Sequence, residues 1–296
     1  MKRSISIVAS FTLSAVVVFF SHGASAEEPY QAVISGIYSR EDGDQNSRTI
    51  TYGLQGRFYF APVITDGHPY GEAAFLERIG SVYVLAEEDE FRNRGRNGDG
   101  PVFRAGINAI RPGVPYTVEA YYVRSTRDYD PPSTQDVTGD QYVARAGYFV
   151  AAAWQVGLSY LYSAWDNTWA AYPEVIVRQQ QYGLFTKYDH DLGQDRLVSL
   201  QATLGRHTTS QPADPGRNTE ASILIDYYFT RSLSIGAGFR DSSGTEEAWE
   251  GTTYSANVQY FLTPRFSVRA GVERFLNAND GRENSKSYNT VVSARF

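Results

Sequence analysis

The chain has 296 residues, with 27 Lys and Arg against 33 Asp and Glu, and no cysteine. An acidic surface without a basic patch argues against nucleic acid. Missing thiols exclude disulfide staples, N-terminal thiol lipidation and thiolate metal sites.

Met1-Lys2-Arg3 opens the chain, an apolar stretch follows from Ile5 to Phe20, and Ala24-Ser25-Ala26 precedes Glu27. A positive segment, an apolar segment and a small-x-small site in that order predict a cleaved signal peptide over 1–26. One domain over 27–296 remains, with 25 basic residues against 33 acidic ones, net −8. The acidic excess collects in Glu41-Asp42-Gly43-Asp44, Glu87-Glu88-Asp89-Glu90 and Glu246-Glu247, which read as loops. After the signal peptide no apolar run is long enough for a spanning helix. A barrel strand meets lipid with only every second residue, so it escapes that test.

Period-2 alternation in segments of about ten residues, enough to cross a bilayer as tilted strands, dominates the rest. Strands are predicted at 30–38, 48–60, 72–86, 101–111, 115–125, 139–150, 153–163, 177–189, 195–207, 218–229, 232–240, 251–262, 265–276 and 286–296. The clearest run sets Trp154, Val156, Leu158, Tyr160 and Tyr162 against Gln155, Gly157 and Ser159. Short connections such as Arg111-Pro112-Gly113-Val114 alternate with long polar ones at 87–100, 126–138, 164–176, 208–217 and 241–250. This asymmetry belongs to transmembrane barrels with tight periplasmic turns and longer external loops. The polar face is small and charged, and the apolar face is ringed by the 22 Tyr and 16 Phe. The expected fold class is therefore all-β: a transmembrane antiparallel up-and-down barrel of about 14 strands in the bacterial outer membrane. Residues 61–80 are the doubtful stretch, because Glu77 and Arg78 break the alternation, and they leave 12 or 16 strands open.

Parity from the end puts Tyr288, Thr290, Val292, Ala294 and Phe296 on one face of the last strand. A terminal aromatic with such spacing resembles the membrane-insertion signal read by the barrel-assembly machinery. The same parity sends Arg57, Arg104, Glu119, Arg145, Lys187, Glu220, Asp226, Arg240, Arg269, Glu273 and Arg295 into the lumen, since Arg facing mid-bilayer lipid costs roughly 2–4 kcal/mol. Eight strands suffice for side chains to fill a barrel, so about fourteen leave water inside. Facing acids and bases across that water screen permeants by charge.

Three histidines follow the signal peptide. His190, between Asp189 and Asp191, sits at a short turn, and a solvated turn is the better reading than a dyad. His207, with Ser210 and Asp214, matches no defensible catalytic spacing. With His68 they offer no metal-ligand spacing, and no cofactor is expected.

The stretch His68-Pro69-Tyr70-Gly71-Glu72-Ala73-Ala74-Phe75-Leu76-Glu77-Arg78, together with the Tyr- and Gly-rich early strands and Phe296, resembles the porin family of Gram-negative proteobacteria. The resemblance implies passive diffusion of small hydrophilic solutes, with no catalytic residues. General porins usually fold a long loop into the lumen, and no loop here stands out as long enough. Either side chains alone set the aperture or the 61–80 region contributes. The expected partners are outer-membrane lipid and lipopolysaccharide, the assembly machinery and small solutes. The alternative is an outer-membrane enzyme or adhesin that uses the barrel as a scaffold for its external loops.

Overall fold

The computed structural model describes residues 29–44, 47–93, 96–130, 135–169, 172–210, 216–245, 250–278 and 284–296. The expected signal peptide lies outside them. Fourteen strands follow in order: β1 (Tyr30–Gly43), β2 (Arg48–Val63), β3 (Ser81–Asn93), β4 (Arg96–Ala109), β5 (Tyr116–Asp130), β6 (Gln135–Ala151) and β7 (Trp154–Trp169) come first. Then come β8 (Tyr172–Gly193), β9 (Arg196–Ser210), β10 (Gly216–Thr230), β11 (Leu233–Gly244), β12 (Gly251–Thr263), β13 (Phe266–Asn277) and β14 (Ser285–Arg295). Each pairs antiparallel with its chain neighbours, and β1 pairs with β14, so the sheet closes without an edge. At the seam the Phe296 amide donates to the Ala32 carbonyl (2.9 Å), and the Ala32 amide donates back to the Phe296 carbonyl (3.0 Å).

Alternation assigns the faces as period 2 requires. Phe58, Leu158 and Leu184 are 50%, 62% and 55% exposed, as lipid-facing side chains are in a chain viewed without lipid. Their neighbours in sequence point the other way, and Ser163 and Ser199 are almost fully enclosed. The turns at the end holding Tyr30 and Phe296 are tight. Gly193-Gln194-Asp195-Arg196 places both central residues at positive φ (57° and 61°), the backbone whose twist suits a two-residue hairpin. Gly113, at φ 78°, supplies the left-handed position of the β4–β5 turn, where the Val114 amide bonds the Arg111 carbonyl.

The strand count agrees with the expectation, but the lengths do not. β8 runs for 22 residues, about twice what a tilted strand needs to cross lipid. Most of the stretches read as external loops at 87–100, 126–138, 164–176 and 208–217 are continuations of the ladder. Where lipid ends, an outward polar side chain no longer meets hydrocarbon and its penalty falls away, so polar residues do not stop a strand there. Thus Glu87–Glu90 lies inside β3, with Asp89 accepting a hydrogen bond from Thr51 at 2.7 Å. Likewise Glu41–Gly43 forms the end of β1, whereas Glu246-Glu247 lies outside the described residues.

The strand expected at 72–86 starts later than its alternation suggests. Only Ser81 onward is strand. Residues 64–80 form a connection with one helical turn, α1 (Ala73–Leu76).

Candidate functional site

The connection between β2 and β3 touches β6, β8, β10, β12 and β14, strands spread around the ring. A segment that reaches all of them must lie within the barrel end and not beside it. Its backbone is set locally. α1 closes with the Ile79 amide on the Ala74 carbonyl and the Arg78 amide on the Phe75 carbonyl, both at 3.0 Å. That is the Schellman pattern, with Arg78 at φ 54° in the left-handed position usually given to Gly. Arg78 has a second task. Its guanidinium donates to the carbonyls of Ala151 and Ala152 (3.0 and 3.1 Å) and lies 4.0 Å from the centre of the Phe149 ring.

Three further anchors fix the segment. Arg231, in the β10–β11 turn, donates to the carbonyls of Thr65 and His68, and its own carbonyl accepts from the Tyr70 amide at 2.9 Å. Arg295 donates to the Tyr70 carbonyl at 2.9 Å, with its guanidinium 4.5 Å from the Tyr30 and Phe261 rings. Glu72 forms an ion pair with Lys187 and accepts from the Tyr228 hydroxyl at 3.0 Å. The two charged side chains are only 8% and 19% exposed. Such a pair is held by the penalty of separating it, since either charge alone would be buried without compensation. Apolar packing completes the seat: Tyr30, Tyr59, Val63, Ala73 and Ile79 form a buried cluster, and Phe75 meets Phe149 ring to ring.

Beside and above this segment the interior is polar. A cavity of about 380 Å³ lies between it and the wall, bordered by Arg57, Glu119, Arg145, Gln155, Gln201 and Thr203. A second, of about 480 Å³, lies along β9–β14 and is bordered by Gln201, Thr203, Ser222, Arg240, Asn257, Arg269 and Glu273. Gln201 and Thr203 border both, so the two spaces adjoin.

The sequence-predicted residues are distributed as follows. Arg57, Glu119 and Arg145 border the first cavity, with Arg145 donating to Glu119 at 3.3 Å. Arg240, Arg269 and Glu273 border the second. Arg104, opposite Val123, stacks over Tyr121 at 5.6 Å. Glu220 pairs in register with Gly205, and Asp226 accepts from Asn257 at 3.3 Å. Lys187 and Arg295 are engaged by the inward segment. On β14, Tyr288 and Phe296 are exposed on the outer side.

Among the histidines, His68 bonds Glu77 at 2.7 Å within the segment, and His190 stacks on Tyr188. His207 pairs in register with Asn218, while Asp214 lies outside the described residues. Sequence reasoning missed Glu72, Arg78, Arg231 and Tyr228 as anchors. The available signal was Glu77-Arg78 interrupting the alternation in a connection too long for the turn side.

A family model described as "Putative general bacterial porin" matches residues 1–296. The Acinetobacter baumannii outer membrane protein Omp33 is similar at 20% identity and TM-score 0.56, over 90% of this chain and 99% of that one. The monoaromatic hydrocarbon channel CymD is similar at 10% identity and TM-score 0.55, over 91% and 89%. The deltaS2 mutant of the monoaromatic hydrocarbon channel TodX follows at 10% identity and TM-score 0.51, over 92% and 90%. Identities this low describe a shared fold. No curated protein sequence matches significantly. A closed fourteen-stranded barrel with a polar interior, matched over its whole length by one family model, places this chain in the bacterial outer membrane, and it belongs to the family of general bacterial porins.

Proposed function

We propose that small hydrophilic solutes or ions diffuse passively along the polar interior and leave past the inward-folded 64–80 segment. The observation that carries this reading is the adjoining of the two polar cavities at Gln201 and Thr203, one of them running beside that segment. Arg57, Arg104, Glu119, Arg145, Glu220, Asp226, Arg240, Arg269 and Glu273 border the route. Lys187 and Arg295 shape it indirectly by seating the segment. Acidic and basic groups on one water-filled wall orient and sort charged permeants. Single-channel recording of the purified protein in planar bilayers tests this directly. Discrete steps are expected, and a silent membrane with correctly folded protein would sink the reading.

We read the chain as non-catalytic, in keeping with a family described as porins. The outward residues at every second position of the C-terminal stretch, Tyr288, Thr290, Val292, Ala294 and Phe296, serve as the insertion signal for the assembly machinery. Phe296→Ala is expected to lower the amount of folded protein in the outer membrane while refolding of the purified chain into detergent is unchanged. Equal insertion of the variant would refute that role.

A further inference from the structure

We propose that the outward face of β13, β14, β1 and β2, just beyond the extracellular aromatic belt, binds the phosphate groups of lipopolysaccharide. The belt here consists of Tyr254, Tyr288, Tyr38 and Tyr52, all outward and exposed. Amphipathic rings of this kind sit at headgroup level, so the next residues along each strand lie at the lipid's polar groups. On β14 and β1 those next residues are Lys286 and Arg40, on β2 Arg48 follows one outward step after Ile50, and on β13 Arg274 stands opposite Tyr254.

The register puts Arg274 opposite Lys286, Lys286 opposite Asp42, Asp42 opposite Arg48, and Arg48 opposite Arg92. One row across five adjacent strands therefore holds four cations and one carboxylate, over an arc of about 19 Å at strand spacing. Arg40 joins it one step below. The single carboxylate is already engaged: Asp42 receives Arg40 at 2.8 Å and Arg48 at 2.9 Å. Arg274 and Lys286 are exposed, and among the described residues neither has an ion-pair partner. Like charges directly opposite each other destabilise a strand pair. Two such pairs, Arg274 with Lys286 and Arg48 with Arg92, stand in one row, and bound anions would relieve both. Glu88 and Glu90 on β3 bound the patch on its far side, opposite Tyr52 and Ile50. The wall made by β5 and β6 is different, for there Arg124 faces Asp140 at 3.8 Å and the charge is internally met.

The anion must be carried by a lipid, because the cations face away from the lumen and continue an apolar, lipid-facing surface. In the outer leaflet of this membrane that lipid is the phosphorylated glycolipid.

The test is titration of lipopolysaccharide onto the purified, detergent-solubilised protein, followed by native mass spectrometry. Arg274→Gln and Lys286→Gln are each expected to weaken binding roughly fivefold, the effect of about one basic residue at an anionic surface. Arg274→Glu with Lys286→Glu is expected to abolish it. The matched control, Arg206→Glu with Arg217→Glu on β9 and β10, is expected to bind as wild type. The proposal is overturned if the double reversal binds normally or if the control loses binding equally. It is also overturned if chemically dephosphorylated glycolipid binds as well, or if inorganic phosphate at the same concentration displaces the lipid. Conductance of the reversed variant, expected unchanged, keeps this result separate from the pore reading. Should the reversal fail to fold, the two glutamine variants decide the matter.

Discussion

The two ends of the barrel are built on opposite principles. At the end holding Tyr30 and Phe296, turns are tight and the lumen is crossed by residues 64–80, fastened by Arg78, Arg231, Arg295 and the Glu72–Lys187 pair. At the other end the strands run past the membrane, and among the described residues no comparable segment folds inward. Charge there lies on exposed walls, as with Arg124–Asp140, whose side chains are 56% and 35% exposed. The same residue types thus do different work. Where water is excluded, a pair fixes position, because breaking it strands a charge. Where water is present, it contributes little to stability and acts through its field.

The largest test of this contrast is removal of the segment. Replacing residues 64–79 by a short turn is expected to raise single-channel conductance roughly twofold or more, since the barrel itself is wide enough for water. Unchanged conductance would mean that the narrow point lies elsewhere.

Breaking the buried pair from one side comes next. Glu72→Gln or Lys187→Met is expected to undock the segment at a cost of about 3–5 kcal/mol, read as faster proteolysis within 64–80. The double variant should recover part of the loss. Equal cleavage of single, double and wild-type proteins would show that the pair fixes nothing.

A steric probe is milder. A Cβ on Gly71 would lie 2.6 Å from the Tyr228 hydroxyl and 3.3 Å from the Gln259 amide oxygen. Gly71→Ala is therefore expected to cost about 1–3 kcal/mol, visible as proteolysis intermediate between wild type and the pair variants.

The smallest structural effect, though not a silent one, is expected on the wet wall. Arg104→Glu with Arg145→Glu should change thermal stability by less than about 1 kcal/mol yet shift the reversal potential toward cations. A fixed reversal potential would take both residues off the permeation path.

Much of this architecture is readable residue by residue. Alternation around Leu158 and Leu184 says barrel, and the turn at Arg111–Val114 marks where a hairpin reverses. Strand ends are not readable in this way. Asp89 looks like a loop residue, but the ladder carries on through it because Thr51 supplies a partner across the sheet. The segment at 72–80 misled for the converse reason. Its apolar residues Ala73, buried, and Phe75, half-buried, pack against the barrel's inner wall, a packing that alternation on a single strand does not encode.

The sequence by itself determined the up-and-down barrel, a count of about fourteen strands with 12 or 16 left open, the alternation of faces along the clear runs and the marking of 61–80 as irregular. All of these rest on local periodicity and on the cost of placing charge against lipid. Only the tertiary structure decided which charges meet. Glu72 and Lys187 are 115 residues apart, and Arg295 reaches Tyr70 across 225. Closing the barrel brings such residues together, and no local pattern records what lies across a lumen.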